Sequence, residues 1–124
     1  MRKILFFGII LLITSCQQSN NKEIERDNLD NKAYDTAWDF YEKEVYDSAY
    51  VYFNKAYSEF IKNMNKNQAA KCLINMGYIS YYKGDWFGSQ ELNIEGIKLL
   101  NPQIKSEKET LSSAYNSLGQ SLSL

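Results

Sequence analysis

From residue 31 onward, apolar positions recur at helical spacing, and small residues stand beside large aromatic ones. Ala33, Ala37 and Phe40 fall on one face of a helix over Asn31 to Lys43. Tyr50, Phe53, Tyr57, Phe60 and Ile61 follow i, i+3, i+4 spacing with Ala49 and Ala56 beside them. That predicts a second helix ending near Asn63, with Asp47 as its N-cap. Asn63 to Asn67 is a polar joint. Ala69 to Lys83 carries Leu73, Met76, Gly77 and Ile79 and reads as a third helix, ended by Gly84-Asp85. Glycine suits the left-handed position after a helix, and the aspartate caps the next one. Trp86 to Leu100, with Leu92, Ile97, Leu99 and Leu100, is the fourth helix, and Asn101-Pro102 stops it. Ile104 to Leu124, with Leu111, Tyr115, Leu118 and Leu122, is the fifth.

The pattern repeats. Ala37-x2-Phe40-x5-Tyr46-x2-Ala49-x3-Phe53-x2-Ala56 is followed by Gly77-x2-Ser80-x3-Gly84-Asp85-Trp86-x2-Ser89, and Leu118-Gly119 echoes Met76-Gly77. Small residues fall where two helices must touch, and aromatics fill the gaps between them. The expected fold is all-α, with antiparallel helical hairpins stacked as a short solenoid of about five helices over residues 31–124.

At the N-terminus, Met1-Arg2-Lys3 is a basic start and Ile4 to Ile13 an apolar run. Ten helical residues span about 15 Å, roughly half a bilayer core, so the run reads as a signal peptide over residues 1–15. Ile13-Thr14-Ser15-Cys16 resembles a bacterial lipobox. The resemblance implies that Cys16 is acylated, becomes the mature N-terminus and anchors the chain to a membrane. Gln17 after the cysteine, with no acidic residue before Glu23, leans toward the outer membrane under the enteric sorting rule. Residues 16–30 are polar and read as a tether.

Gly77, Gly84, Asp85, Trp86 and Ser89, with Ala37, Phe40, Tyr46, Ala49, Phe53 and Ala56, resemble the tetratricopeptide repeat. The resemblance covers about Asp30 to Leu124. It departs from that pattern at Ser80, where an aromatic is usual, and at Glu44, in place of the turn glycine. Asn93 and Gly96 replace an aromatic and an alanine, and the period is 40 to 42 rather than 34. In such arrays the first helix of each hairpin lines a concave face. That implies a groove for a protein or peptide ligand formed by Tyr34, Trp38, Tyr41, Lys71, Tyr78, Tyr81 and Asn116. Tyr and Trp supply much contact area at low entropy cost. The same aromatics serve equally as core.

Composition narrows the chemistry. Histidine is absent, which removes the commonest general base and metal ligand. Of 14 basic residues, Arg2 and Lys3 leave with the signal, so 12 face 15 acidic ones. No basic surplus for nucleic acid exists. No phosphate-binding, dinucleotide, nucleophile-elbow or zinc-spacing motif occurs, and no cofactor is expected. Asp35 and Asp39 are spaced i, i+4 as an acid/base pair could be, but a solvated helix face explains them better. Cys72, beside Leu73 and Met76, reads as a small packing residue.

The expected role is a non-enzymatic, lipid-anchored scaffold for protein–protein interaction in the cell envelope. The alternative is the extracytoplasmic sensory front of a longer signalling protein, because the third copy stops after its first helix. Two and a half hairpins sit near the minimum of about three repeats, and a homodimer through Leu118 and Leu122 is expected.

Overall fold

The computed structural model describes residues 31–123. The export segment, Cys16 and the polar tether lie outside the described residues. Among the described residues five helices follow one another: α1 (Lys32–Glu42), α2 (Tyr46–Lys62), α3 (Lys66–Tyr82), α4 (Trp86–Leu99) and α5 (Lys105–Leu122). No strand occurs among the described residues. Each helix packs against the next, and α3 also meets α5, so α3 is the central element. The fold is all-α and built of helical hairpins, as the periodicity predicts.

Three of the four joints share one geometry. Glu44, Met64 and Gly84, spaced 20 residues apart, all have positive φ, of 59°, 60° and 81°. At each, that residue's N–H bonds the carbonyl three residues back, and the following N–H bonds the carbonyl five back. The latter bonds are Val45 to Phe40, Asn65 to Phe60 and Asp85 to Ser80, each at 2.9 Å. This is the Schellman arrangement, which satisfies carbonyls orphaned at a helix end. Only Gly84 is a glycine, so Glu44 and Met64 carry a left-handed conformation at a backbone cost of about 1 kcal/mol each.

The starts are capped in turn. Asn31, Asn65 and Asp85 each accept a side-chain bond from the N–H three residues on, at 3.0, 3.2 and 2.9 Å. For α2 the sequence predicts Asp47 as the cap. The structure corrects this: Val45 is the N-cap residue, with no side-chain cap bond. The Schellman turn leaves no residue between Glu44 and that cap, so Asp47 falls inside the first turn, where its charge suits the helix dipole. There it pairs with Lys83 at the end of α3. The same tight turn starts α3 at Lys66, earlier than the polar joint suggests.

The core runs between α1, α2 and α3. Ala33, Ala37, Ala49, Phe53, Ala56, Phe60, Ala69, Cys72, Met76 and Ile79 are buried together. Small residues bring the backbones close, and Phe53 fills the space between them, packing edge-to-face on Tyr34 and Trp38 at 5.8 and 5.6 Å. In α4 and at its C-cap the buried positions are Ser89, Asn93, Gly96 and Leu100, each 40 residues after Ala49, Phe53, Ala56 and Phe60. The leucines and isoleucine expected to carry that face, Leu92, Ile97 and Leu99, are only half-buried. Asn93 therefore occupies the site of a core phenylalanine.

The space above Gly77 explains the exchange. A Cβ built on Gly77 would lie 2.7 Å from Asn93 Nδ2. That amide donates to the Ser89 carbonyl and to Ser117 Oγ, both at 2.8 Å. The interface between α4 and α5 is thus a polar seam of short side chains. Asn93 Oδ1 is buried with no partner among the described residues.

The inner face of α5 differs from expectation too. Thr110, Leu111, Ala114, Ser117 and Ser121 are buried, Leu118 is half-buried, and Tyr115 and Leu122 are exposed. Small hydroxyl residues suit the close approach of α4 better than tyrosine or leucine would.

Candidate functional site

Helices α1, α3 and α5 enclose a cleft of about 270 Å³. From α1 come Tyr34 and Trp38, and from α3 come Lys71, Ile74, Asn75 and Tyr78. The N-terminal half of α5 closes it with Ser106, Glu109, Thr110 and Ser113. The wall is tied across helices. Tyr78 Oη donates to the Ser113 carbonyl at 3.4 Å, and Thr110 Oγ1 donates to Asn67 Oδ1 at 2.8 Å. A second depression of about 690 Å³ shares Lys71, Ser106 and Glu109 with the cleft and extends it toward Lys105 and Gln68.

Four residues of the expected groove meet here: Tyr34, Trp38, Lys71 and Tyr78. The first two pack against the core and line the cleft at once. Tyr34 packs edge-to-face on Trp38, Phe53 and Phe60 at 6.3, 5.8 and 5.8 Å, and still shows one side to the cleft. Burial raises its hydroxyl pKa, with hydrogen bonding to Trp38 and Asn75 pulling the other way. Burial also raises Tyr78. Both hydroxyls therefore stay protonated and serve as neutral donors.

The other three expected residues lie elsewhere. Tyr41 and Tyr81 belong to a string of rings leading away from the cleft. Trp38 meets Tyr41 at 5.3 Å, Tyr41 meets Tyr46 at 5.7 Å, Tyr46 stacks on Tyr82, and Tyr82 meets Tyr81, both at 5.9 Å. Asn116 is exposed one turn beyond Ser113. It leaves the cleft because α5 presents its N-terminal half there, not its middle. The α5 lining escapes a reading of the sequence. Its one signal is a polar stripe at Ser106, Glu109, Thr110 and Ser113, at helical spacing.

The cleft can grip a ligand by contact and hydrogen bonding. Trp38, Tyr34 and Ile74 give apolar surface, Asn75 gives an amide, and Lys71 and Glu109 place opposite charges at its rim. Asp35 and Asp39 are outside this lining, and both are exposed on α1. Among the described residues, no three His, Cys, Asp or Glu side chains cluster as metal ligands would. Cys72 is buried, and burial pushes its thiol up to about 12. It stays a neutral packing group at neutral pH. No described helix is long and apolar enough to cross a membrane. No family model, no curated protein and no solved structure matches the chain.

Proposed function

We propose that this protein is a non-catalytic scaffold of the tetratricopeptide kind, which holds a peptide segment of another protein in the cleft between α1, α3 and α5. The convergence of Tyr34, Trp38, Lys71 and Tyr78 on one cleft carries this reading. Stacked hairpins generally bind along such concave surfaces, and aromatic anchors dominate binding energy at interfaces. The volume suits one large side chain of an extended or helical peptide, with the shallower depression taking its neighbours. Lys71 and Glu109 favour a ligand that carries both charge signs beside an apolar anchor. The lipobox-like Ile13-Thr14-Ser15-Cys16 would hold the scaffold at the envelope through acylated Cys16, with its ligand among envelope proteins.

The test is a crosslinked pull-down from detergent-solubilised membranes with the native chain, a Lys71→Glu version and a Ser113→Trp version. Ser113 is exposed and lines the cleft, so tryptophan there blocks the site without entering the core. Trp38 is a poorer probe, because its loss would also strip Phe53 of a packing partner. A specific envelope protein captured by the native chain and lost with both variants is the expected result. Capture unchanged in two folded variants removes the cleft as the binding site.

A further inference from the structure

Helix α5 repeats α3, with one side uncovered among the described residues. The core-facing positions of α3 are Ala69, Cys72, Met76 and Ile79. Forty-two residues on stand Leu111, Ala114, Leu118 and Ser121, which form the buried or half-buried side of α5. The opposite side of α3 receives α4 through Ala70, Leu73, Ile74, Gly77 and Ser80, all buried. Their counterparts are Ser112, Tyr115, Asn116, Gly119 and Leu122, and every one is exposed. Tyr115 is 59% and Leu122 64% exposed. A Cβ on Gly119 would meet nothing within 4 Å, whereas one on Gly77 would strike Asn93.

What α3 and α4 share between them, α5 carries alone. The α3–α4 contact pairs a glycine notch, Gly77, with the amide that fills it, Asn93. On α5 the notch is Gly119, and an amide, Asn116, lies three residues away on the same face. Helix α4 meets both positions of α3, with Asn93 in the notch at Gly77 and Gly96 against Ile74, and Asn116-x2-Gly119 repeats that Asn93-x2-Gly96 spacing. An antiparallel twofold pairing of two α5 helices answers both at once: each Asn116 enters the notch at Gly119 of the other copy. Tyr115 then lies opposite Gln120 and Ser112 opposite Ser123. Charge agrees, because Thr110 to Leu124 holds no Asp, Glu, Lys or Arg, so like meets like without repulsion.

We infer that the open face of α5 binds a second copy of this chain through reciprocal Asn116–Gly119 contacts. The surface is a single helix face, so the dimer forms by mass action rather than obligately. In this register Leu122 falls opposite Ser113 of the other copy, so the pairing reaches the α5 edge of the cleft.

Sedimentation equilibrium of the full chain at rising concentration tests this, beside Gly119→Gln and Asn116→Asp. Glutamine fills the notch, and α5 tolerates it in the monomer because Gly119 faces open space. It is expected to weaken the dimer at least about tenfold while leaving the thermal midpoint of the dilute monomer no lower. Asn116→Asp is expected to weaken the dimer at pH 7 and to recover near pH 4, as the desolvated carboxyl takes up a proton. A native chain that stays monomeric up to about 0.5 mM overturns the inference. So does a dimer that neither variant alters.

Discussion

Asn93 shows how one residue choice propagates. The position 40 residues earlier is Phe53, a ring that fills the first hairpin. An amide at that point is smaller, and it draws Ser89 and Ser117 into its hydrogen bonds. Gly77 is the other half of the arrangement, since the amide occupies the space a methyl group would need. Gly77→Ala is therefore expected to destabilise the protein by about 1–3 kcal/mol, the usual cost of overpacking. Adding Asn93→Ser should return much of that loss, because it removes the clashing atom. Urea unfolding of the two single variants and the double one measures the coupling. Additive losses would mean that the two side chains do not share the space.

At the scale of elements, the joints decide the architecture. Three Schellman turns at one interval impose the same reversal on successive helices. Gly84 holds its turn without strain, and Glu44 and Met64 do not. Met64→Gly should accordingly raise stability by about 0.5–1 kcal/mol, while Gly84→Ala should lower it by about 1 kcal/mol. A methyl group on Gly84 would meet nothing within 4 Å, so that loss would be backbone strain alone. Thermal midpoints of both variants check the opposite signs.

The turns also mark where sequence reading succeeds and fails. Gly84-Asp85 is announced by residue type, and so is the stop at Asn101-Pro102. Glu44 and Met64 give no such sign, because their left-handed conformation is imposed by the hydrogen bonds of the turn. Helix existence is legible from period. Helix facing in α4 and α5 is not, because the buried stripe there is made largely of Ser, Thr, Asn and Gly, which a hydrophobic period overlooks. For the same reason the cleft is half legible. Its aromatic wall stands out, whereas its α5 wall is a run of ordinary polar residues.

Across the whole molecule, cohesion is uneven. Helix α3 is enclosed by α2, α4 and α5, and its buried positions run almost continuously. Helix α5 rests on a polar seam against α4 and on the small apolar cluster of Leu111 with Ala70 and Leu100, and its outer face is uncovered among the described residues. Local opening should follow that gradient. In dilute solution, amide hydrogens of α5 are expected to exchange through an opening at least about 2 kcal/mol less costly than that of α3. Equal protection of the two helices would show that the seam is as cohesive as the aromatic core. The cleft has one wall on each side of this divide, so ligand binding and the ordering of α5 are linked. A ligand spanning Trp38 and Ser113 would protect α5 as well as itself.

The regular spacing of the turns has a genetic consequence. Residues 46–85 comprise two helices and two turns, and both ends fall immediately after a turn of one kind. A tandem duplication of that segment would join Asp85 to Tyr46, an aromatic helix opener standing where Trp86 stands now. Every local junction in the longer chain would already have its like in the shorter one. Copying errors that repeat or delete this one stretch of coding sequence can therefore lengthen or shorten the array without any new joint having to evolve.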